Sequence, residues 1–347
     1  MNAEELKLQI KNLLLSIYRR VGITKAKARL AKLSIDTSPG WDALVIMLLE
    51  DTSKHKLLHK ALLHTLEDLL MYGSKLFECY ELDYGKIEQL CSVLNDKKPG
   101  TFVIEPLVNI DSYRPEKEFD LFAKEENKDY VTYYFLHYAE CTEQVVLEQN
   151  AIKDNYCYEE GFDKIIATTK GKRVFVNTLR IDKHSKKVYS MIDRADEVGL
   201  SNLRKVKATF ITHINAIYEN TYGELFFHNK LNLFDKVEAL YDNSDLGVVS
   251  ELKFLCPSGA SRYEKLSQKG DLKDLREEVY HKAGMKEIKY IIEPFYITMN
   301  FDFGELSLLG RKSMVNNIKD SPLTEGILRN CFSNNNYSIL LQMLDDA

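Results

Sequence analysis

Residues 247–284 read GVVSELKFLCPSGASRYEKLSQKGDLKDLREEVYHKAG and carry the clearest fold signal in the 347-residue chain. Val248 to Leu255 is rich in β-branched and apolar residues, which predicts a strand. The segment beginning at Cys256, CPSGA, predicts a turn, because proline cannot donate to a sheet and glycine tolerates unusual backbone dihedrals. Asp271 and Gly284 are suited to cap the two ends of a helix. The stretch is therefore predicted to be a strand, a turn, a charged connection and a helix.

Polar side chains are concentrated in the second half of this stretch. Arginine and lysine close to a Ser/Gly turn and a helix start are suited to hold phosphate groups. Helical spacing places His281 away from the apolar stripe of the predicted helix. The predicted binding residues are Ser261, Arg262, Lys265, Arg276, Tyr280 and His281. The alternative is a solvated loop followed by a helix with ordinary surface ion pairs.

A second hypothesis concerns Asp245 and the tripeptide that begins at Glu251 and ends at Lys253. Alternate residues of a strand share a face, so Val249, Glu251, Lys253 and Leu255 are expected to point the same way. Two carboxylates can hold a divalent ion, and a lysine can stabilise charge beside the attacking water. The alternative is that Glu251 and Lys253 form the solvent-facing side of an antiparallel strand.

The order Asp245, Glu251, Lys253 on a strand followed by a helix resembles the Asp…Glu-x-Lys core of restriction-endonuclease-like nucleases. The resemblance covers about a tenth of the chain. It would imply that these three residues are catalytic and that Mg²⁺ or Mn²⁺ is the cofactor. Without the nuclease activity, no metal site and no cofactor are expected.

The composition is that of a soluble globular protein, with 45% hydrophobic and 29% charged residues. The six cysteines are scattered without close pairs, which argues against a zinc ribbon and a disulfide framework and fits free thiols in a reducing cytoplasm. No segment has the pattern of a signal peptide, and no apolar run is long enough to cross a bilayer. We therefore expect a cytoplasmic protein without a membrane partner.

Hydrophobic periodicity divides the chain into two predicted domains, a helical domain over 1–96 and an α+β domain over 101–347, with a further division near 199. Helices are predicted up to Val21, from Thr24, after Ser38-Pro39 and from about Thr52, with two more short ones reaching Leu94. The second domain is predicted to be a mixed, mainly antiparallel sheet with helices packed on it.

Strand composition marks five segments of the second domain, with a hairpin over 181–186 between the last two. The five segments are Thr101 to Leu107, Val131 to Tyr138, Asp163 to Thr168, Arg173 to Leu179 and Lys187 to Ile192. A helix is predicted from Ser201 to about Asn220. Towards the C-terminus, strands are predicted over 287–303 and 306–309, and helices around 314–318, 323–331 and 337–344.

Charge is unevenly distributed along the chain. The first 35 residues hold eight basic and two acidic side chains, and Arg19, Arg20, Lys25, Lys27 and Arg29 are candidates to contact a nucleic-acid backbone. Residues 101–163 hold fifteen acidic and five basic side chains, whereas 164–187 hold eight basic and one acidic. The acidic segment could engage a protein partner, or the two segments could compensate each other within the fold or across a homodimer.

Three functions remain compatible with these patterns. The first is a nucleic-acid-binding or sensing protein, DNA included, without catalysis. The second is the metal-dependent nuclease, and the third is a non-catalytic subunit that binds another protein. Phosphate-loop, dinucleotide and Gly-x-Ser-x-Gly signatures are absent, which argues against nucleotide hydrolases, Rossmann enzymes and α/β-hydrolases. We favour the first function, and the Lys-, Asn- and Tyr-rich composition would suit an accessory microbial gene in antiviral defence.

Overall fold

The computed structural model describes residues 2–104, 118–147, 165–195, 198–267, 274–289, 292–315, 321–331 and 333–346. Much of the acidic segment 101–163 and the predicted helix cap at Asp271 lie outside these residues. The protein is α+β, as predicted, with helices on both faces of one antiparallel sheet.

Most of the described helices lie within residues 3–96 and 200–242. They are α1 (Ala3–Lys32), α2 (Trp41–Glu50), α3 (His55–Tyr72), α4 (Tyr84–Asp96), α5 (Leu200–Tyr222), α6 (Phe234–Asp242), α7 (Val279–Glu287), α8 (Lys312–Val315) and α9 (Asn334–Asp346). Gly22 interrupts α1 with a φ of 73°, a conformation that glycine adopts without a Cβ penalty. The predicted break between Val21 and Thr24 is therefore confirmed.

The described strands form a ten-stranded sheet in the order β2-β3-β4-β5-β1-β10-β9-β8-β6-β7. They are β1 (Lys75–Glu81), β2 (Phe119–Glu126), β3 (Tyr130–Leu147), β4 (Ile165–Asp182), β5 (Lys187–Asp193), β6 (Val248–Leu255), β7 (Ser261–Lys265), β8 (Glu293–Phe301), β9 (Gly304–Leu309) and β10 (Glu325–Arg329). Every neighbouring pair is antiparallel. The strand predicted at Val248 to Leu255 and the hairpin between β4 and β5 are confirmed.

Three apolar clusters fill the space between the sheet and its helices. One joins α4 and α5 to one face of the sheet. On the opposite face, α6 and α9 cover the half that contains β6, β8 and β9, and α1 to α3 cover the half that contains β3 and β4. Within the described residues, no helix is both long and apolar enough to cross a membrane.

Two predicted helices are strands at the centre of the sheet. Residues 75–81, predicted as helix, form β1, and 325–329, predicted as helix, form β10. These two strands pair with each other and so join the two halves of the sheet. Gly326 is required there because a Cβ would lie 2.3 Å from the ring of Phe77 on β1. Whether 1–96 and 101–347 are separate domains stays a prediction.

A buried group of charges fixes the N-terminal helices to the sheet. The Asp193 carboxylate, 1% exposed, accepts from Arg20 Nη1 at 3.0 Å and from the Val176 amide at 2.9 Å. Lys75 is fully buried, and its Nζ lies 3.4 Å from the same carboxylate and donates to the carbonyls of Leu70 and Val176 at 2.7 Å. Burial lowers the pKa of Lys75 to about 8, against the opposing effect of Asp193. α1, α3, β1, β4 and β5 thus meet at one point.

A second buried carboxylate lies on the opposite face of β1. Glu78 Oε1 accepts from Lys207 of α5 at 2.6 Å and from Lys230 at 3.1 Å. Lys207 also donates to Glu325 of β10 at 2.6 Å. Because Glu78 is 1% exposed and paired, it fixes α5 over the junction between β1 and β10.

Replacing Asp193 with asparagine should leave the fully buried Lys75 and the partly buried Arg20 without their counter-ion. We expect the free energy of unfolding to fall by about 3–5 kcal/mol, measured by urea denaturation at neutral pH. The matched control is Glu126→Gln, which removes an exposed partner of Lys183 at 2.8 Å. This control should cost less than about 1 kcal/mol. Equal losses in the two variants would contradict the structural role of Asp193.

Candidate functional site

The strand predicted at Val248 to Leu255 is the first arm of a hairpin at the edge of the sheet. β6 pairs with β8 on one side and with β7 on the other, and β7 is the last strand in the sheet. The sequence predicted a charged connection where β7 lies. A register shift between Val249 and Glu251 places Val249 in the core, so its predicted position beside Glu251 is wrong. Glu251 and Lys253 do share one face, as predicted, and this face is polar.

Glu251 is held by three neighbours on this polar face. Its carboxylate forms an ion pair with Lys265 and accepts from the hydroxyls of Tyr263 at 3.2 Å and Tyr296 at 3.3 Å. Burial would raise the pKa of Glu251, but the hydrogen bond and charge of Lys265 outweigh it and hold the pKa below its usual value. The carboxylate is therefore an anion that is already neutralised by the protein.

The residues of the nuclease hypothesis do not fit a metal site. Asp245 is exposed in the turn before β6, where its amide donates to Asn243 Oδ1 at 3.0 Å. The Glu251 carboxylate is already engaged by Lys265, Tyr263 and Tyr296. In the described part of the chain, no group of three His, Cys, Asp or Glu side chains could hold a metal.

Lys253 lies between two tyrosine rings instead of beside a metal. Its Nζ is 4.4 Å from the ring centroid of Tyr296 and 5.0 Å from that of Tyr263. Contacts of this kind between a cation and a ring face contribute about 0.5–1 kcal/mol at exposed sites. They also hold the rings in place, so that Tyr263, which is 55% exposed, presents an ordered aromatic surface.

On the other side of the edge strand, His281 attaches α7 to β7. His281 is 4% exposed, which contradicts its predicted position away from the apolar side. Its Nδ1 lies 2.5 Å from Glu264 Oε2 on β7, and its Nε2 lies 2.8 Å from the Tyr241 hydroxyl on α6. A carboxylate accepts, so Nδ1 donates to Glu264, and Nε2 forms the second hydrogen bond with the Tyr241 hydroxyl. Burial, followed by the charge of Asp242, raises the pKa of Tyr241 to about 12, which keeps this hydroxyl protonated at neutral pH.

Arg276 also has a structural role, and its predicted contact with a phosphate is not supported. Its guanidinium donates to the carbonyls of Tyr241 at 3.1 Å and Asn243 at 2.9 Å, and to that of Gly247. It is also paired with Asp274 at 2.7 Å. Arg276 therefore ties the end of α6 to the start of β6 and is not directed to solvent.

α7 exposes an aromatic residue on one flank and two lysines on the other, because residues 280 and 282 are separated by about 200° around the helix. Tyr280 is 85% exposed, and Lys282 and Lys286 of the same helix are exposed as well. Arg262 is exposed on β7 and, by strand alternation with Glu264, lies on the side that faces α7. Tyr280 and Arg262 are therefore both accessible to a ligand. Ser261 and Lys265 are exposed on the same strand.

The N-terminal basic residues are mostly used within the protein. Arg20 binds Asp193, Lys27 Nζ donates to the Pro39 carbonyl at 2.6 Å, and Arg29 Nη2 donates to the Cys331 carbonyl at 3.3 Å. Burial lowers the pKa of Arg29 to about 10. Arg19 is engaged in a contact and Lys25 is half-buried. The prediction that Arg20, Lys27 and Arg29 contact nucleic acid is therefore corrected to a role in packing.

Sequence patterns alone missed three parts of this surface. Tyr263 was overlooked because β7 was predicted as a connection. Lys282 and Lys286 were not singled out, although their spacing by four residues places them on one side of a helix. The alternation of charged and aromatic residues in SRYEK was the signal that could have revealed β7.

Comparison with known proteins adds no functional assignment. A scan against protein-family models found no match for the chain, and a search of curated proteins found none with significant similarity.

Replacing His281 with alanine should loosen α7 from the edge of the sheet, because both ring hydrogen bonds are lost. We expect amide exchange of residues 279–287 to accelerate by roughly tenfold or more, measured by hydrogen–deuterium exchange at neutral pH. The control is His184→Ala, since His184 is exposed in the turn between β4 and β5. Unchanged exchange in α7 would mean that apolar packing alone holds the helix.

Proposed function

We propose that the protein binds single-stranded nucleic acid through the edge of the sheet formed by β7 and the adjoining helix α7. We call this the β7–α7 surface and define it by Arg262, Tyr263, Lys265, Tyr280, Lys282 and Lys286. The observation that carries the proposal is the 85% exposure of Tyr280 on a helix that His281 holds in place.

Exposed tyrosines support binding of unpaired bases. Single-stranded nucleic acids are bound by aromatic rings on which bases stack, together with cations that follow the backbone. Tyr280 lies on α7, and Tyr263, 55% exposed, lies on the opposite side of β7. Bases within a duplex are already stacked and paired, so these rings would favour single strands.

The charges of the surface are consistent with phosphate contacts. Arg262, Lys282 and Lys286 are exposed, and none of them forms an ion pair with a described residue. Lys265 is partly neutralised by Glu251 and contributes less. We therefore expect a few phosphate contacts, which give moderate affinity and a clear dependence on salt.

We extend the proposal to the cellular setting that the sequence predicted. The free thiols of Cys79, Cys91, Cys256 and Cys331 support a reducing compartment, and we propose the cytoplasm. Recognition of single strands would suit a sensing role in microbial defence against foreign nucleic acid. A homodimer through the acidic segment 101–163 also remains a proposal.

Tyr280→Ala should weaken binding of a labelled single-stranded oligonucleotide of about 20 nucleotides, because one base loses its stacking partner. We expect the dissociation constant to rise roughly 5- to 150-fold, measured by fluorescence anisotropy with DNA and RNA versions of one sequence. The matching duplex should bind more weakly than either single strand. Binding to the duplex that equals or exceeds binding to single strands would contradict the proposal.

The double variant Lys282→Gln and Lys286→Gln should change the salt dependence of binding. Each phosphate contact that is lost lowers the slope of log affinity against log salt by about 0.7, so we expect a decrease of about 1.4. Lys56→Gln with Lys60→Gln is the matched control, since both lysines are exposed at the same spacing on α3. A slope near zero in the unmodified protein, or an equal decrease in both variants, would contradict the proposed surface.

A further inference from the structure

β7 leaves one edge of the sheet open within the described part of the chain. It is the last strand of the sheet, and four of its five residues are exposed. An edge strand presents unpaired amides and carbonyls to another chain unless proline, a bulge or a covering segment blocks it. The sequence of β7, SRYEK, contains no proline, and its pairing with β6 has no bulge. The edge is therefore suited to pair with a further strand.

The ladder between β6 and β7 determines which backbone groups of β7 are directed outward. Just after β7, the Leu266 amide donates to the Ser250 carbonyl of β6 at 2.9 Å. Hydrogen-bonded pairs alternate along an antiparallel ladder, so residues 262 and 264 also exchange hydrogen bonds with β6. The amides and carbonyls that point to the outer edge are consequently those of Ser261, Tyr263 and Lys265.

A second copy of β7 fits this edge in an antiparallel register centred on Tyr263. In this register Tyr263 is opposite the partner's Tyr263, and Ser261 is opposite the partner's Lys265. All of these residues direct their backbone groups outward, so about six hydrogen bonds can form between the two strands. Lys265 adds no repulsion, because Glu251 of the same chain already neutralises it.

The side chains of β7 favour the same register. Arg262 is then opposite the partner's Glu264, and Glu264 is opposite the partner's Arg262, at positions where side chains approach closely. Arg262 is exposed, and Glu264 uses Oε2 to bind His281, which leaves Oε1 for the guanidinium of the partner. A shift by two residues would set Arg262 against Arg262 or Glu264 against Glu264, and both contacts are repulsive. A shift by one residue would bring outward-pointing and inward-pointing backbone groups together.

We propose that two copies of the protein associate through their β7 strands, so that the two sheets become one continuous antiparallel sheet. Main-chain hydrogen bonds supply the affinity, and the paired charges fix the register of this two-fold contact. Five paired residues bury less than a standard interface, so we expect a dissociation constant of about 10–100 μM. Tyr280, Lys282 and Lys286 lie outside the paired strands. Dimer formation and nucleic-acid binding can therefore be tested separately.

Tyr263→Cys tests the register in the full-length protein. Opposite residues of a hydrogen-bonded antiparallel pair have Cα atoms about 5.5 Å apart, which suits a disulfide. Mild oxidation at about 50 μM protein, without nucleic acid, should therefore give a disulfide-linked dimer on a non-reducing gel. The unmodified protein, treated in the same way, measures any cross-linking by its native thiols.

Ser261→Cys is the matched control, since Ser261 is also exposed on β7 but its two copies would be about 13 Å apart along the paired strands. Alone it should not form a linked dimer. Mixed with Lys265→Cys it should do so, because positions 261 and 265 are opposite each other in the proposed register. No linked dimer from Tyr263→Cys, or equal cross-linking by Ser261→Cys alone, would overturn the proposal.

Arg262→Glu should raise the dissociation constant of the dimer roughly tenfold, because two attractive contacts become repulsive. Sedimentation velocity over about 1–200 μM protein, without nucleic acid, measures this change. Lys128→Glu is the matched control, since it makes the same change of charge in the exposed turn between β2 and β3, at the other end of the sheet. An unmodified protein that stays monomeric at every concentration, or equal effects of the two variants, would contradict pairing through β7.

Discussion

The buried carboxylate of Asp193 is the contact on which the architecture depends. It lies on β5, and its ligands come from α1, β1 and β4, so four distant parts of the sequence are fixed by one side chain. Removing such a charge from water costs several kcal/mol, which the three donors must offset together. The group is therefore stable only when the helices and the sheet are both in place. This requirement couples the folding of the N-terminal helices to that of the sheet.

β1 also fixes a helix to the other face of the sheet through a buried ion pair. Lys75 points to Asp193, and Glu78, three residues later, points to Lys207 on α5. β1 thus carries one buried charge on each face. The ion pairs around these two charges hold helices from different regions of the chain against the sheet. Because β1 also pairs with β5 and β10, it joins the two halves of the sheet. Apolar residues of α1 and α3 also pack against those of β3 and β4.

The buried ion pairs explain why some parts of the fold could be predicted from the sequence and others could not. Val248 to Leu255 and the break at Gly22 follow from local propensity, and both were predicted. β1 was not, because KLFECYE has a charge on each face and no simple alternation. At the candidate site, Tyr280 and Arg262 were identified, and both are exposed. Arg276 and His281 were identified for the same chemical reasons, but spacing along a sequence does not tell whether a polar side chain binds the protein or a ligand.

Several arginines bind oxygen atoms of the protein itself, and this limits where a polyanion can bind. The chain has 47 basic and 52 acidic side chains, so its net charge of −5 gives no general attraction for nucleic acid. Arg20, Arg29 and Arg276 are bound to oxygens of the protein and contribute little to an external ligand. Attraction must then be local, within about 8–10 Å of the remaining exposed cations at physiological salt. An aromatic ring such as Tyr280 matters more in this setting, because stacking does not require a positive field over the whole molecule.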